Sequence, residues 1–215
     1  PNNILAKNIN LHIHYQDKIC ILGPNGSGKT TLVNTMIGKV QAVKGEVWQG
    51  ASLKVGYYDQ ISHDFDMNST VIDTIWQLAP YEPIGYVLGY LAKFGFVGDQ
   101  VDQICGSLSG GEKARLSLAK IIHSKPNLLI LDEPTNHLDI PMIESLETAL
   151  QEYDGTIIFI SHDRYFINNI AEKIWVFKDC TVKESVEPIE ELIESIIIDT
   201  EEKKEAIKTV QIKQD

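Results

Sequence analysis

The 215-residue sequence has no apolar run approaching the ~20 residues a helix needs to cross a bilayer. Its opening, PNNILAKNIN, offers neither the basic start nor the apolar stretch of a signal peptide. Direct membrane insertion is therefore not expected. Positive charge is scarce: 19 Lys and Arg against 30 Asp and Glu leave a formal net charge of −11, and no basic face is concentrated anywhere. Contacts to a phosphate backbone need such a face, so this segment alone is not expected to bind nucleic acid. Cysteine is sparse too. Cys20, Cys105 and Cys180 are odd in number, far apart and without a CxxC, which points to buried thiols in a reducing, cytoplasmic compartment rather than to disulfides or zinc. Internal repeats and low-complexity tracts are lacking, and the absence of an initiator methionine reads as a piece of a longer protein.

What is present is the material of one α/β domain, with 43% hydrophobic residues for a packed core. Apolar strand-like runs, KICILG from Lys18, LLILD from Leu128, TIIFISH from Thr156 and IWVFKD from Ile174, alternate with helical patterns. Such alternation predicts a mostly parallel sheet with helices on both faces. Met142, Ile143, Leu146, Ala149, Leu150 and Tyr153 have helical spacing and predict a crossover helix between the second and third runs. Glu46 to Gln60 reads as a β-hairpin turning at Gly50-Ala51, and Val71 to Val97 as a small helical insertion. From Glu187 the tail becomes helical and highly charged, which most simply makes it a solvated terminal extension.

The stretch GPNGSGKTT, Gly23 to Thr31, joins the first strand to a helix whose apolar face is Leu32, Val33, Met36, Ile37 and Val40. At a helix start the first amides lack intrahelical partners and the dipole is positive, so the natural occupant is a phosphate. Gly23, Gly26 and Gly28 allow the backbone to approach an anion, Lys29 can reach the outer phosphates, and the Thr30 hydroxyl can sit on Mg²⁺. Spacing and context both match a phosphate loop. An incidental glycine-rich turn explains neither.

Two further stretches carry chemistry. LLILDEP ends a strand with Asp132 and Glu133, adjacent carboxylates at the sheet edge where open α/β folds bind ligands. Asp132 suits Mg²⁺ and Glu133 suits proton abstraction from an attacking water, although an ordinary acidic loop accounts for the pair equally well in isolation. In SLSGGEKARLSLAKII, Ser109 and Glu112 have capping-box spacing. Gly110 and Gly111 in that first turn nevertheless cost about 1 kcal/mol each relative to Ala. Bare backbone there suits the close approach of a second anion, and two such helix starts in one chain suggest face-to-face pairing of two domains.

In their order, GPNGSGKT, Gln60 after a strand, LSGGE at Leu108 to Glu112, LLILDE, HLD at His137 to Asp139 and SHD at Ser161 to Asp163 resemble an ABC-type ATPase domain. LSGGEKARLSLAK, DEPTNHLDI and SHDRYFI resemble the ABC-F subfamily, whose members carry two ATPase domains in one chain, and VGYYDQ is more similar to the second of these. The resemblance implies a P-loop NTPase fold with a mostly parallel sheet, an antiparallel β subdomain and a small helical insertion at about 68–105. It covers 1–184 and leaves 185–215 as a charged helical extension. It implies ATP and Mg²⁺ as ligands. Gly23, Pro24, Asn25, Gly26, Ser27, Gly28, Lys29, Thr30 and Thr31 would form the phosphate loop. Thr30, Gln60 and Asp132 would serve the metal, and Glu133, His162 and Gln60 would be catalytic. Ser109, Gly110 and Gly111 would face the nucleotide of a partner domain, with Asp139 at the seam.

The family also places an aromatic ring against adenine just upstream of this segment; Pro1 to Asn3 hold none, and Tyr15 is expected on the wrong turn. The implied partners are a second ATPase domain, in the same full-length chain or as a homodimer, and the ribosome and tRNA through further segments. ATP hydrolysis in translation or in ribosome protection against antibiotics is the function implied. The alternatives are a subunit energising a membrane transporter, which needs a groove for a coupling helix in the insertion, and a non-catalytic nucleotide-gated module, which Glu133 and His162 argue against.

Overall fold

The computed structural model describes residues 5–59, 65–136 and 138–192. In chain order the elements are β1 (Lys18–Leu22), α1 (Lys29–Met36), β2 (Val55–Tyr58), α2 (Val71–Trp76), α3 (Ile84–Ala92), α4 (Gly110–His123), β3 (Leu128–Asp132), α5 (Ile140–Gln151), β4 (Thr156–Ile160), α6 (Arg164–Ile170), β5 (Lys173–Lys178) and β6 (Thr181–Ser185), with short 3-10 turns at Gly98–Asp102 and Cys105–Ser107. They fall into two compact units. One comprises the described residues of Pro1–His14, Lys18–Gln49 and Ile160–Asp215; the other comprises those of Tyr15–Asp17 and Gly50–Phe159. Among the described residues no helix is long and apolar enough to cross a membrane.

In the first unit the strand order is β1-β5-β6. Strand β1 pairs parallel with β5 from Ile19↔Lys173 to Leu22↔Val176. Ile19, Cys20 and Ile21 are fully buried, so both faces of β1 are covered, which is why it reads as an unbroken apolar run. Helix α1 buries Leu32 and Val33 but ends at Met36 with Ile37 as its C-cap, and Val40 is exposed. The expected five-residue apolar face is therefore cut short, with Gly38 at φ +80° where the chain leaves the helix. Strands β5 and β6 form an antiparallel hairpin closed by Asp179 and Cys180, both at positive φ. That is the backbone of a two-residue primed turn, built here without the Asn-Gly or Asp-Gly that announces one. Cys180 is exposed on this turn, whereas Cys20 and Cys105 are buried, which corrects the expectation that all three thiols are buried.

In the second unit the order is β2-β3-β4, with β2 and β3 parallel from Val55↔Leu128 to Tyr58↔Leu131. The hairpin expected over Glu46 to Gln60 is not formed. Its turn exists, since the Leu53 amide donates to the Gly50 carbonyl at 3.2 Å, but Glu46 to Gly50 form no strand. Val47 and Trp48 are exposed and without a facing strand, while Val55–Tyr58 gains the buried edge of β3 instead. The insertion is helical as read, with α2 and α3 burying Val71, Ile75, Val87 and Leu91. Helix α5 buries Met142, Leu146 and Leu150 and links β3 to its neighbour β4. Its start is capped by Asp139, whose carboxylate accepts from the Met142 amide at 3.1 Å.

Helix α4 starts with a complete capping box. The Ser109 hydroxyl accepts from the Glu112 amide at 3.3 Å and donates to the Glu112 carboxylate at 2.7 Å, which also accepts from the Ser109 amide at 2.8 Å. These bonds, the hydroxyl's first, hold the Glu112 carboxyl below its ordinary range. A depressed folded-state pKa contributes stability above the unfolded pKa and loses it as pH falls through the folded value.

Two consequences can be measured by denaturant unfolding. At Gly56 on β2 an added Cβ would lie 2.6 Å from Pro126 Cγ and 2.9 Å from Ile121 Cγ2, so Gly56→Ala is expected to cost about 1–3 kcal/mol. Ser109→Ala is expected to cost about 1 kcal/mol near neutral pH, with the gap to wild type narrowing in acid as Glu112 becomes protonated in both proteins.

Candidate active site

Within the first unit the loop after β1 is shaped by its neighbours. A Cβ at Gly23 would lie 2.8 Å from both Cβ and the carbonyl oxygen of Phe177 on β5, so only glycine lets the chain leave β1 here. Gly26 and Gly28 take φ +76° and +108°, the left-handed region open to glycine. Gly28 is the N-cap of α1, which has no side-chain cap and no acidic residue in its first turn. The helix start therefore presents positive dipole to the loop with no carboxylate to quench it.

The loop folds around Lys29. That residue is only 8% exposed, and its ammonium donates to the carbonyls of Gly23 at 2.8 Å and Pro24 at 3.0 Å. The Ser27 amide donates to Pro24 at 3.2 Å, while the buried Ser27 hydroxyl oxygen has no hydrogen-bond partner among the described residues. A cationic loop with left-handed glycines and an orphaned buried hydroxyl fits a bound phosphate chain. Thr30 and Thr31 follow on the first turn of α1, Thr30 exposed.

His162 stands in the same unit, just past β4, and its Nε2 lies 3.2 Å from Asn25 Oδ1 in the loop. Its neighbours in SHD hold it there. The Asp163 amide donates to the buried Ser161 hydroxyl at 3.1 Å, and the Asp163 carboxylate caps α6 by accepting from Tyr165 and Phe166 at 3.0 and 3.2 Å. Partial burial of the ring, then the positive charge of Lys29, keep the His162 imidazole below its ordinary range and hence neutral near pH 7.

In the second unit β3 delivers Asp132 at its C-terminal end after four buried residues. Glu133 follows with φ +52°, a left-handed conformation that a non-glycine residue adopts at a cost of about 1–3 kcal/mol. This bend turns the chain sharply between the two carboxylates, which alternation along a strand does not predict. Burial, then Asp132, then Asp59 push the Tyr57 phenol up to about 12. Among the described residues no group of three or more His, Cys, Asp or Glu could hold a metal. The Thr30 hydroxyl in the first unit and the Asp132 carboxylate in the second are each oxygen donors of the kind Mg²⁺ takes.

Ser109, Gly110 and Gly111 open α4 in this unit, and Asp139 caps α5. Gln60 and His137 lie outside the described residues. The structure thus brings the phosphate loop and His162 together in one unit and assigns Asp132, Glu133, the α4 start and Asp139 to the other. Sequence reasoning missed the supporting side chains. Phe177 leaves no signal, because its role depends on strand pairing, whereas Asp163 before an apolar-periodic stretch is a readable N-cap.

Residues 6–136, more than half of the chain, match the family described as ABC transporter. ABC transporter F family member 5 of Arabidopsis thaliana is 43% identical over 180 residues, 83% of this chain and 26% of that protein. The ATP-binding protein Uup of Escherichia coli (strain K12) is 40% identical over 178 residues, 81% of this chain and 28% of that protein. The chain thus spans little more than a quarter of the length of these relatives. Among solved structures, a dimeric ATP-binding cassette in a post-hydrolysis state bound to ADP and Pi matches with a TM-score of 0.67 at 22% identity, covering 84% of this chain and 90% of that one. That likeness shows a P-loop NTPase fold. With the family match extending across the phosphate loop, the α4 start and the Asp132-Glu133 pair, the chain belongs to the ABC transporter family of ATPase domains, and its relatives are ABC-F ATP-binding proteins.

Proposed function

We propose that this chain binds Mg-ATP and, paired with a second ATPase domain, hydrolyses it to ADP and phosphate. It would serve as one half of a cytoplasmic ABC-F protein acting on the ribosome, in translation or in protection against ribosome-targeting antibiotics. The observation that carries the reading is the loop between β1 and α1, a buried lysine inside left-handed glycines at an uncapped helix start. Lys29 would exchange its two carbonyls for phosphate oxygens, and Thr30, Asp132 and Gln60 would hold Mg²⁺. When bound, that metal supplies positive charge against the phosphates. Glu133 would take the proton of the attacking water, and His162, neutral, would donate to the terminal phosphate.

Pairing is supported by the start of α4. Nothing lies within 4 Å of a Cβ added at Gly110, and its φ is not positive, so nothing among the described residues requires glycine there. Bare backbone at an outward helix start leaves room for a phosphate held by another domain, and the cassette similar in fold was solved as a dimer with ADP and Pi. Action on the ribosome is supported by the ABC-F character of the relatives. One observation favours the transporter alternative: α3 has no charged residue and exposes Ile84, Tyr86 and Leu88, with Tyr81 exposed before it. Co-sedimentation of the intact two-domain protein with ribosomes decides between the two, pelleting being the expected result.

Two kinetic outcomes follow. In the intact two-domain protein Glu133→Gln is expected to keep nucleotide binding and to slow turnover about 10²–10⁴-fold, the usual worth of a positioned general base; unchanged turnover would assign the base elsewhere. For the isolated chain, specific activity is expected to rise with protein concentration or on adding the second domain, because a lone copy gives the nucleotide half of its charge stabilisation and leaves the terminal phosphate in water. Equal specific rates from dilute monomer and concentrated protein would show that each copy works alone.

A further inference from the structure

Asn25 and His162 are 137 positions apart in sequence, yet their side chains meet at 3.2 Å inside the first unit. An amide oxygen only accepts hydrogen bonds, so the hydrogen must sit on Nε2 of His162. The ring is kept neutral by its partial burial and by Lys29, which leaves Nδ1 without a proton. The backbone flanking His162 is held by the Asp163–Ser161 hydrogen bond and by the Asp163 cap of α6.

Lys29 is treated the same way. Its ammonium is held by the carbonyls of Gly23 and Pro24, immediately before Asn25, while Gly26 after it has nothing within 4 Å of an added Cβ. Two donors suited to a phosphate are thus each occupied by neutral oxygens belonging to the loop. A charged phosphate oxygen forms a hydrogen bond roughly twice as strong as a neutral one, so it displaces such acceptors.

We propose that Asn25 is a positioning residue that holds the Nε2–H of His162 at the phosphate loop while no terminal phosphate is there, and surrenders that donor to the phosphate of a nucleoside triphosphate. The exchange makes the Asn25–His162 bond a reporter of nucleotide state: it persists with a diphosphate, which lacks the phosphate that competes for His162, and breaks with a triphosphate. This second half rests on the ATP-binding reading above; the first half does not.

The test is ring-¹⁵N NMR on the 215-residue chain, following the His162 Nε2–H proton, with His162→Asn to identify its signal among the six histidines. In wild type the signal is expected without nucleotide and with ADP, and is expected to shift with a non-hydrolysable Mg-ATP analogue. In Asn25→Leu, exchange of that proton with water should speed up about fivefold to tenfold without nucleotide and with ADP, the loss of one hydrogen bond, and protection should return with the analogue. Asn25→Asp keeps an acceptor and should keep the signal, which separates loss of the bond from misfolding. An unchanged signal in nucleotide-free Asn25→Leu would overturn the positioning role. A wild-type signal indifferent to the analogue, when calorimetry on the same sample shows the analogue bound, would overturn the exchange. Calorimetry showing no binding would instead sink the ATP-binding reading, with the nucleotide-free comparison still deciding the role of Asn25.

Discussion

A buried ammonium organises the loop on which the candidate site depends. Lys29 is almost out of contact with solvent, and a charge so placed is costly unless oxygens surround it. The carbonyls of Gly23 and Pro24 meet that need only because the chain curls back over the side chain. Curling requires φ values that glycine accepts at Gly26 and Gly28, and it requires Gly23 to pass Phe177 without a Cβ. The pairing of β1 with β5 brings Phe177 to that position, so loop geometry, sheet register and the state of the lysine are one constraint. The helix start that follows is left without a cap, and the loop is cationic where an anion would sit.

The two glycine-rich helix starts are built in opposite ways. At α1 Gly26 and Gly28 have left-handed backbone; at α4 Gly110 is not left-handed and a Cβ added there would meet nothing within 4 Å, while Ser109 and Glu112 close a capping box on each other. The first therefore has the backbone of an anion-binding nest. The second is a closed capping box whose Gly110 is not required by any neighbour among the described residues. That asymmetry is the physical basis for proposing a phosphate at one and a pairing surface at the other. Asp139 combines the same two features at α5, an exposed residue whose carboxylate is engaged as a helix cap.

At the end of β3 the arrangement is again set by backbone rather than by side-chain identity. Asp132 and Glu133 are adjacent, but the strand ends at Asp132 and Glu133 takes a left-handed φ. Local strain of this kind persists where the surrounding structure holds it, and the four buried residues of β3 supply the anchor. Tyr57 on the neighbouring strand is pushed up chiefly by its burial, with Asp132 and Asp59 adding to the effect.

Strands β1, β3, β4 and β5, helix α5, the insertion helices and the α4 capping box were legible in the sequence, because each rests on local periodicity or on residues three or four apart. The candidate residues of the phosphate loop, the acidic pair and His162 could be proposed from sequence for a related reason: phosphate chemistry asks for residue types at fixed spacing along one segment. The β5–β6 hairpin was hidden because its turn follows Asp179 with Cys180 at positive φ, where glycine is the usual signal. The Glu46–Gln60 hairpin was overread because alternating residues there looked like a pair of strands, whereas Val55–Tyr58 found its partner in β3, more than seventy residues away. Tertiary structure alone decided that Phe177 dictates Gly23, that Lys29 is turned inward, and that Asn25 meets His162. Each is a contact between side chains or backbone that only a distant strand pairing or a loop closure brings within reach, and no local pattern encodes such a distance.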